Sequence, residues 1–182
     1  MSPGARSASV LYVVVCAAPT ASDVAAFIHM AQEANWSVKV ITTPMARRFV
    51  DTDKLAEMTA DRVRTDFRMP DEADELPPAT AVVVAPATFN TVNKWALGIA
   101  DTFVVGLLSE LTGLGVPILA VPFVKDALAK HPAFGRSLTA LRAMGVHVLF
   151  DPHAPAEMRM PDWPKVLEEL HAVTGGSPPE RG

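Results

Sequence analysis

The 182-residue chain has one cysteine, one tyrosine and only 7% aromatic residues. A lone Cys16 excludes an internal disulfide, and with no Cys/His cluster in the sequence nothing suggests zinc. That usage fits a reducing cytoplasm. No apolar run approaches the ~20 residues that a membrane-spanning helix requires. The net charge of −4 comes without a basic stripe, so nucleic acid is not expected as a partner. No internal repeat is visible. Arg6 followed by the apolar run Val10 to Ala18 has the look of a signal peptide. The run is short and β-branched, however, and removing it would delete the first candidate core strand.

What is present is 49% hydrophobic residues, enough for one domain with a full core. Val10 to Val15 is a continuous Val-rich run, the pattern of a strand buried on both faces. After a small-residue loop, Ala21 to Ala34 reads as a helix with Val24, Phe27, Ile28 and Ala31 on one face. Val38 to Ile41 is a second strand. Pro44 suits the first turn of a helix carrying Met45, Phe49 and Val50 inward, and Asp51 to Asp61 holds another short helix with an Asp or Thr cap. Phe67 to Pro78, acidic and proline-rich, reads as a surface loop. Ala79 to Ala85 is the third strand. Helices follow over about 90–100 and 102–112, the second closed by Gly113 and Gly115. Val116 to Val121 is the fourth strand, Pro132 to Met144 a helix, Val146 to Phe150 the fifth strand, and Pro161 to Val173 a last amphipathic helix. Residues 1–8 are expected to be a flexible N-terminus, 9–174 the domain, and 175–182 a disordered tail.

Strands alternating with helices predict an α/β fold. It is a single doubly wound Rossmann-like domain, a mostly parallel sheet of five or six strands with helices on both faces. Ligands bind such sheets beyond the carboxyl ends of the strands, where the winding reverses. The loops there begin at Cys16, Thr42, Pro86 and Pro122, and a site should draw on all four.

The most informative segment is Ala85 to Asp101, Ala-Pro-Ala-Thr-Phe-Asn-Thr-Val-Asn-Lys-Trp-Ala-Leu-Gly-Ile-Ala-Asp. It runs from a buried strand through small and hydroxyl residues into a helix start, where unpaired N–H groups and the positive dipole end favour an anion or an electron-rich edge. It resembles the Pro-x-Ser-Ala-Asn-Thr segment and following Gly-x-x-Asp of the flavin-containing cysteine decarboxylases, which include the phosphopantothenoylcysteine and lantibiotic-processing decarboxylases. Pro86, Asn90, Thr91, Lys94, Gly98 and Asp101 fall on that pattern, while Thr88 stands for Ser and Phe89 for Ala. The resemblance spans about residues 10 to 150. It implies bound flavin mononucleotide (FMN), a small-molecule substrate and a homo-oligomer, a trimer or a multiple of it.

On that resemblance, Thr88, Asn90 and Thr91 would bond the ribityl chain and the flavin's polar edges. Gly98 would allow close packing, and Asp101 is either a ligand contact or the cap of the next helix. Ala17 and Ala18 stand where the family has Gly-Ser in its phosphate loop. Alanine lets the backbone approach a phosphate but supplies no hydroxyl and disfavours positive φ. Thr20 or Ser22 would supply that oxygen or else cap the helix. Thr43 would meet the phosphate or ribityl chain. Phe49 would close over the ring or lie in the core. Trp95 is either an interface or a core residue.

The resemblance is weakest at the reaction. In the family the flavin accepts hydride from the cysteine side chain, which sets up loss of the carboxylate, with a histidine as acid/base. Counting back from Pro86, Glu72 stands at the histidine's position, where burial would make it a base, although its acidic, proline-rich surroundings read instead as a solvated loop. The family's Pro-x-Met-Asn clamp is replaced by Pro122-Phe123-Val124-Lys125. Lys125 would grip a carboxylate as a point charge, or be a solvated lysine. These departures leave two readings. One is a flavoprotein doing redox chemistry on a small thiol or carboxylate with a changed catalytic set. The other is a non-catalytic FMN-binding or apo scaffold protein.

Overall fold

The computed structural model describes residues 9–68 and 76–175. The expected flexible N-terminus, Glu72 and the tail beyond Gly175 lie outside the described residues.

The element order is β1 (Val10–Val15), α1 (Val24–Glu33), β2 (Ser37–Thr42), α2 (Thr52–Thr59), β3 (Ala81–Ala87), α3 (Phe89–Ala96), α4 (Phe103–Gly113), β4 (Ile118–Pro122), α5 (Asp126–Ala129), α6 (Pro132–Ala143), β5 (His147–Val148) and α7 (Trp163–Val173). Among the described residues the five strands form one parallel sheet in the order β2-β1-β3-β4-β5. The expected doubly wound Rossmann-like architecture is therefore observed, with five strands. The winding reverses between β1 and β3.

Side chains alternate across the pleat. Val10, Tyr12 and Val14 of β1 join Val82 and Val84 of β3 in a core under α3, α4 and α6. Leu11, Val13 and Val15 join Ala81 and Val83 in a second core under α1 and α7. Both faces are dry, which is why these strands read as unbroken apolar runs. The Val24, Phe27, Ile28 and Ala31 stripe of α1 is buried as its spacing requires.

Several boundaries differ from expectation. Pro19–Asp23 is a separate 3-10 turn ahead of α1. Pro44–Arg48 is also a 3-10 turn, with Ala46 as its buried residue. Met45 is 55% and Phe49 39% exposed, not inward. The tighter winding of a 3-10 turn does not follow the 3.6-residue spacing on which that expectation rested. β3 runs two residues past Ala85 and contains Pro86, after a cis Ala85–Pro86 peptide. Its register against β4 shifts between Val84 and Ala87, and Ala87 falls on the same face as Val84. An odd step of that kind is what an extra residue in a strand produces. β5 is two residues long, and the four-residue α5 was not anticipated. Asp51 caps α2 by accepting the Lys54 N–H at 3.1 Å. Gly175 lies in a turn after α7 with φ +89°.

Trp95 is core: it is 2% exposed, and its Nε1 donates to Thr112 Oγ1 at 2.9 Å. The ends of the acidic loop are anchored. Phe67 packs edge-on against Phe103 at 5.6 Å, and the Tyr12 hydroxyl donates to the Pro77 carbonyl at 2.7 Å.

Candidate functional site

Strand order alone places a crevice at the carboxyl ends of β1 and β3. A cavity of about 430 Å³ is found there, lined by Ala17 after β1, Thr43, Pro44 and Met45 after β2, Thr88, Asn90, Thr91 and Lys94 of the β3–α3 turn and helix, and Thr102 and Val105 at the start of α4. Its volume falls within the roughly 300–1,000 Å³ usual for small-molecule sites. Four hydroxyls, an amide and an ammonium share the lining with apolar side chains, a composition suited to a flat ring with polar edges.

Local bonding fixes the crevice. The Cys16 N–H donates to the Pro86 carbonyl at 3.1 Å, and the Thr43 N–H to the Val15 carbonyl at 3.0 Å, so the first three loops are joined by their backbones. Thr88 caps α3: its Oγ1 accepts the Thr91 N–H at 3.5 Å and donates to Thr91 Oγ1 at 3.2 Å. Cys16 Sγ donates to the same Thr91 oxygen at 3.4 Å. Burial pushes the Cys16 thiol above its ordinary pKa, and its hydrogen bonding with Thr91 and Thr88 only partly opposes this. Cys16 is thus a neutral donor, not a thiolate nucleophile. Lys94 Nζ meets Asp101 Oδ2 at 2.6 Å, which holds the ammonium in place at the crevice wall as one half of an ion pair.

The expected residues divide. Ala17, Thr43, Thr88, Asn90 and Thr91 line one cavity. Asp101 reaches it only through Lys94, and it does not cap α4, whose first position follows Thr102. Ala18 is buried behind Ala17 in extended backbone, φ −145° and ψ 155°. Among the described residues no positive φ occurs in this loop, so alanine stands there without backbone strain. Thr20 and Ser22 cap no helix: Ser22 Oγ donates to the Pro19 carbonyl at 3.0 Å, and Thr20 Oγ1 is buried without a hydrogen-bond partner.

Pro86, Phe49, Gly98 and Lys125 are not among the lining residues. Pro86 is buried in β3, and its carbonyl is taken by Cys16. Phe49 is exposed at the end of its turn, neither core nor lining. Gly98 ends α3 with φ +69°, and a Cβ built on it would meet nothing within 4 Å. Glycine serves conformation there, not close packing. It borders a different cavity, with Trp95, Ser109 and Met144. Lys125 is exposed just ahead of α5, and Val124 beside it is core. Met45, Thr102 and Val105 were missed. Thr102 follows the flagged Asp101, whereas nothing in the local sequence marks Met45 or Val105.

Among the described residues no group of His, Cys, Asp and Glu is arranged to hold a metal. No helix there is long and apolar enough to cross a membrane.

The chain superposes on HAL3 from Cryptococcus neoformans with a TM-score of 0.76 at 20% identity, covering 91% of this chain and 96% of that one. It superposes on TvaF, an FMN-dependent cysteine decarboxylase from thioviridamide biosynthesis, with a TM-score of 0.69 at 27% identity, covering 91% and 98%. Over 115 residues, 60% of the chain, it is 32% identical to the coenzyme A biosynthesis bifunctional protein CoaBC of Bacillus subtilis. That stretch is 28% of CoaBC, and the chain spans less than a third of the length of the curated relatives it matches. The family model for Flavoprotein matches residues 8–175, and the chain belongs to that family.

Proposed function

We propose that the chain binds FMN in the crevice between the β1 and β3 loops and carries out redox chemistry there on a small thiol or carboxylate substrate. The observation that carries this reading is the convergence of Ala17, Thr43, Thr88, Asn90 and Thr91 on one cavity at the winding reversal. The Thr20 hydroxyl in the neighbouring turn does not line the cavity, but it is buried without a partner and has a hydrogen bond to offer a phosphate that approaches that turn. TvaF, similar over nearly its whole length, is FMN-dependent.

Thr88, Asn90 and Thr91 would hold the ring edge and ribityl chain, and Thr43 and Thr20 the phosphate end, with Ala17 admitting close approach. Bound flavin supplies acceptance of a hydride. The protein's part is to orient the ring, exclude water and place the substrate. Lys94, held in place by its ion pair with Asp101, would offer ammonium hydrogen-bond donors at the wall. The proposal includes a cytoplasmic homo-oligomer, a trimer or a multiple of it. The exposed apolar side chains Leu97, Ile99, Leu114 and Met144 support self-association.

A second reading is an FMN-binding protein without catalysis. It is favoured by the placement of Lys125, exposed ahead of α5 and absent from the cavity lining. The two readings share a first test, the identity and stoichiometry of the small molecule that co-purifies. One FMN per chain supports both, and a colourless protein that takes up no added FMN overturns both. Bleaching of the flavin by a thiol or carboxylate substrate without added reductant then selects the first. We expect little or no carbon dioxide from pantothenoyl-cysteine or peptidyl-cysteine. Robust release would return Glu72 and Lys125 to the catalytic set.

A further inference from the structure

The segment after β4 lies next to the turn that leaves β3. The Phe123 N–H donates to the Ala87 carbonyl at 2.9 Å, one residue before Thr88. What fixes this segment comes from the far end of the chain. The connection from β5 to α7 carries the backbone from the α6 face of the sheet to the α7 face, past the carboxyl end of β4. It delivers Arg159, whose side chain is 4% exposed.

The guanidinium is engaged at both terminal nitrogens and on its face, while its Nε is buried without a hydrogen-bond partner. Nη1 donates to the Val124 carbonyl at 3.0 Å. Nη2 pairs with Asp126 Oδ1 at 2.5 Å. Its carbon lies 5.8 Å from the centroid of the Phe150 ring. Phe150 in turn meets Phe134 edge-on at 5.3 Å, and Phe134 stacks on Phe89 at 5.9 Å. Phe89 is the residue between the Thr88 cap and Asn90. The planar fork of an arginine can hold a carbonyl and a carboxylate at once, which a lysine ammonium does poorly. A buried guanidinium is retained only where such partners offset its desolvation.

We propose that Arg159 is a positioning residue: it latches the Phe123–Asp126 segment in one conformation beside the crevice, acting through the Val124 carbonyl and the Asp126 carboxylate. The segment lies outside the cavity lining and is held in place against the β3–α3 turn rather than left free to swing. The inference stands on side-chain contacts and not on flavin, so it survives or fails independently of the function proposed above.

Hydrogen–deuterium exchange on the full chain, without added ligand, tests it. In Arg159→Met the amides of residues 123–131 should exchange about tenfold faster or more, the scale of a lost charge-assisted hydrogen bond. Peptides from β1 and β3 should be unchanged. Arg159→Lys should restore part of the protection, because a cation still reaches one partner. Exchange in 123–131 equal to the parent chain overturns the latch, and so does a rise shared equally by β1 and β3, which marks a purely structural role. If Arg159→Met does not fold, Asp126→Asn decides. Faster exchange confined to 123–131 supports the latch, and an unchanged rate overturns it.

Discussion

Cys16 and Thr91, 75 residues apart in sequence, are joined side chain to side chain at 3.4 Å. The bond ties the end of β1 to the first turn of α3 across the point where the sheet reverses its winding. Because Cys16 is fully buried and its thiol is held neutral, the folded chain should not react with Ellman's reagent. In denaturant it should titrate as one thiol per chain. Rapid labelling of the native protein would show that this end of the crevice opens.

The Thr20 hydroxyl separates stability from binding. A buried hydroxyl without a partner costs roughly 1–3 kcal/mol. Thr20→Val, close in shape, should raise the melting temperature of the ligand-free chain and weaken FMN affinity. Thermal melts with and without added FMN read both changes. A variant that binds FMN as well as the parent removes Thr20 from the site.

Asn90→Ala should weaken FMN binding by about 3–10-fold, the worth of one neutral hydrogen bond of about 0.5–1.5 kcal/mol. Asn90 is exposed, so ligand-free stability should stay within about 0.5 kcal/mol of the parent. Quenching of flavin fluorescence in a titration measures the first, and denaturant unfolding the second.

Phe134 is 1% exposed, stacks on Phe89 and meets Phe150 edge-on. Phe134→Ala should cost about 3–5 kcal/mol in denaturant unfolding. Leu97→Ser, on a side chain that is 73% exposed, should leave monomer stability nearly unchanged. If Leu97 lies in the proposed oligomer contact, sedimentation should report a smaller assembly.

Glu169 should make the chain acid-sensitive. The hydrogen bond from Lys165 holds its carboxyl below the ordinary carboxylate range, burial opposes this, and His147 at 3.0 Å adds to the lowering. A lowered folded-state pKa contributes stability that is present above the unfolded value and lost as pH falls through the folded one. Melting temperature should therefore fall below about pH 5, and Glu169→Gln should flatten part of that slope. An identical slope in the variant would show that the pair contributes nothing to folding.

The sheet was legible because its signal is local. Val10 to Val15 is apolar at every position and rich in β-branched valine, the pattern of a strand covered on both faces. α1 was legible because Val24, Phe27, Ile28 and Ala31 recur at helical spacing. The crevice was legible in part: Thr88, Asn90 and Thr91 sit where a strand ends and a helix begins. Phe49 was misplaced because one residue of difference between helical and 3-10 winding turns a side chain from core to solvent. Met45 and Val105 could not be found locally, since their role depends on two turns approaching one another.

The order of apolar and polar residues, acting over a few neighbours at a time, determined the strands, most helices and hence the layered parallel sheet, whereas the strand order that puts the reversal between β1 and β3 came only with the fold. Tertiary structure alone decided that Arg159 would meet Val124, that Lys94 would meet Asp101, and which hydroxyls would face one cavity. Contacts of that kind join residues far apart in the chain, and their geometry exists only after the backbone has closed around them.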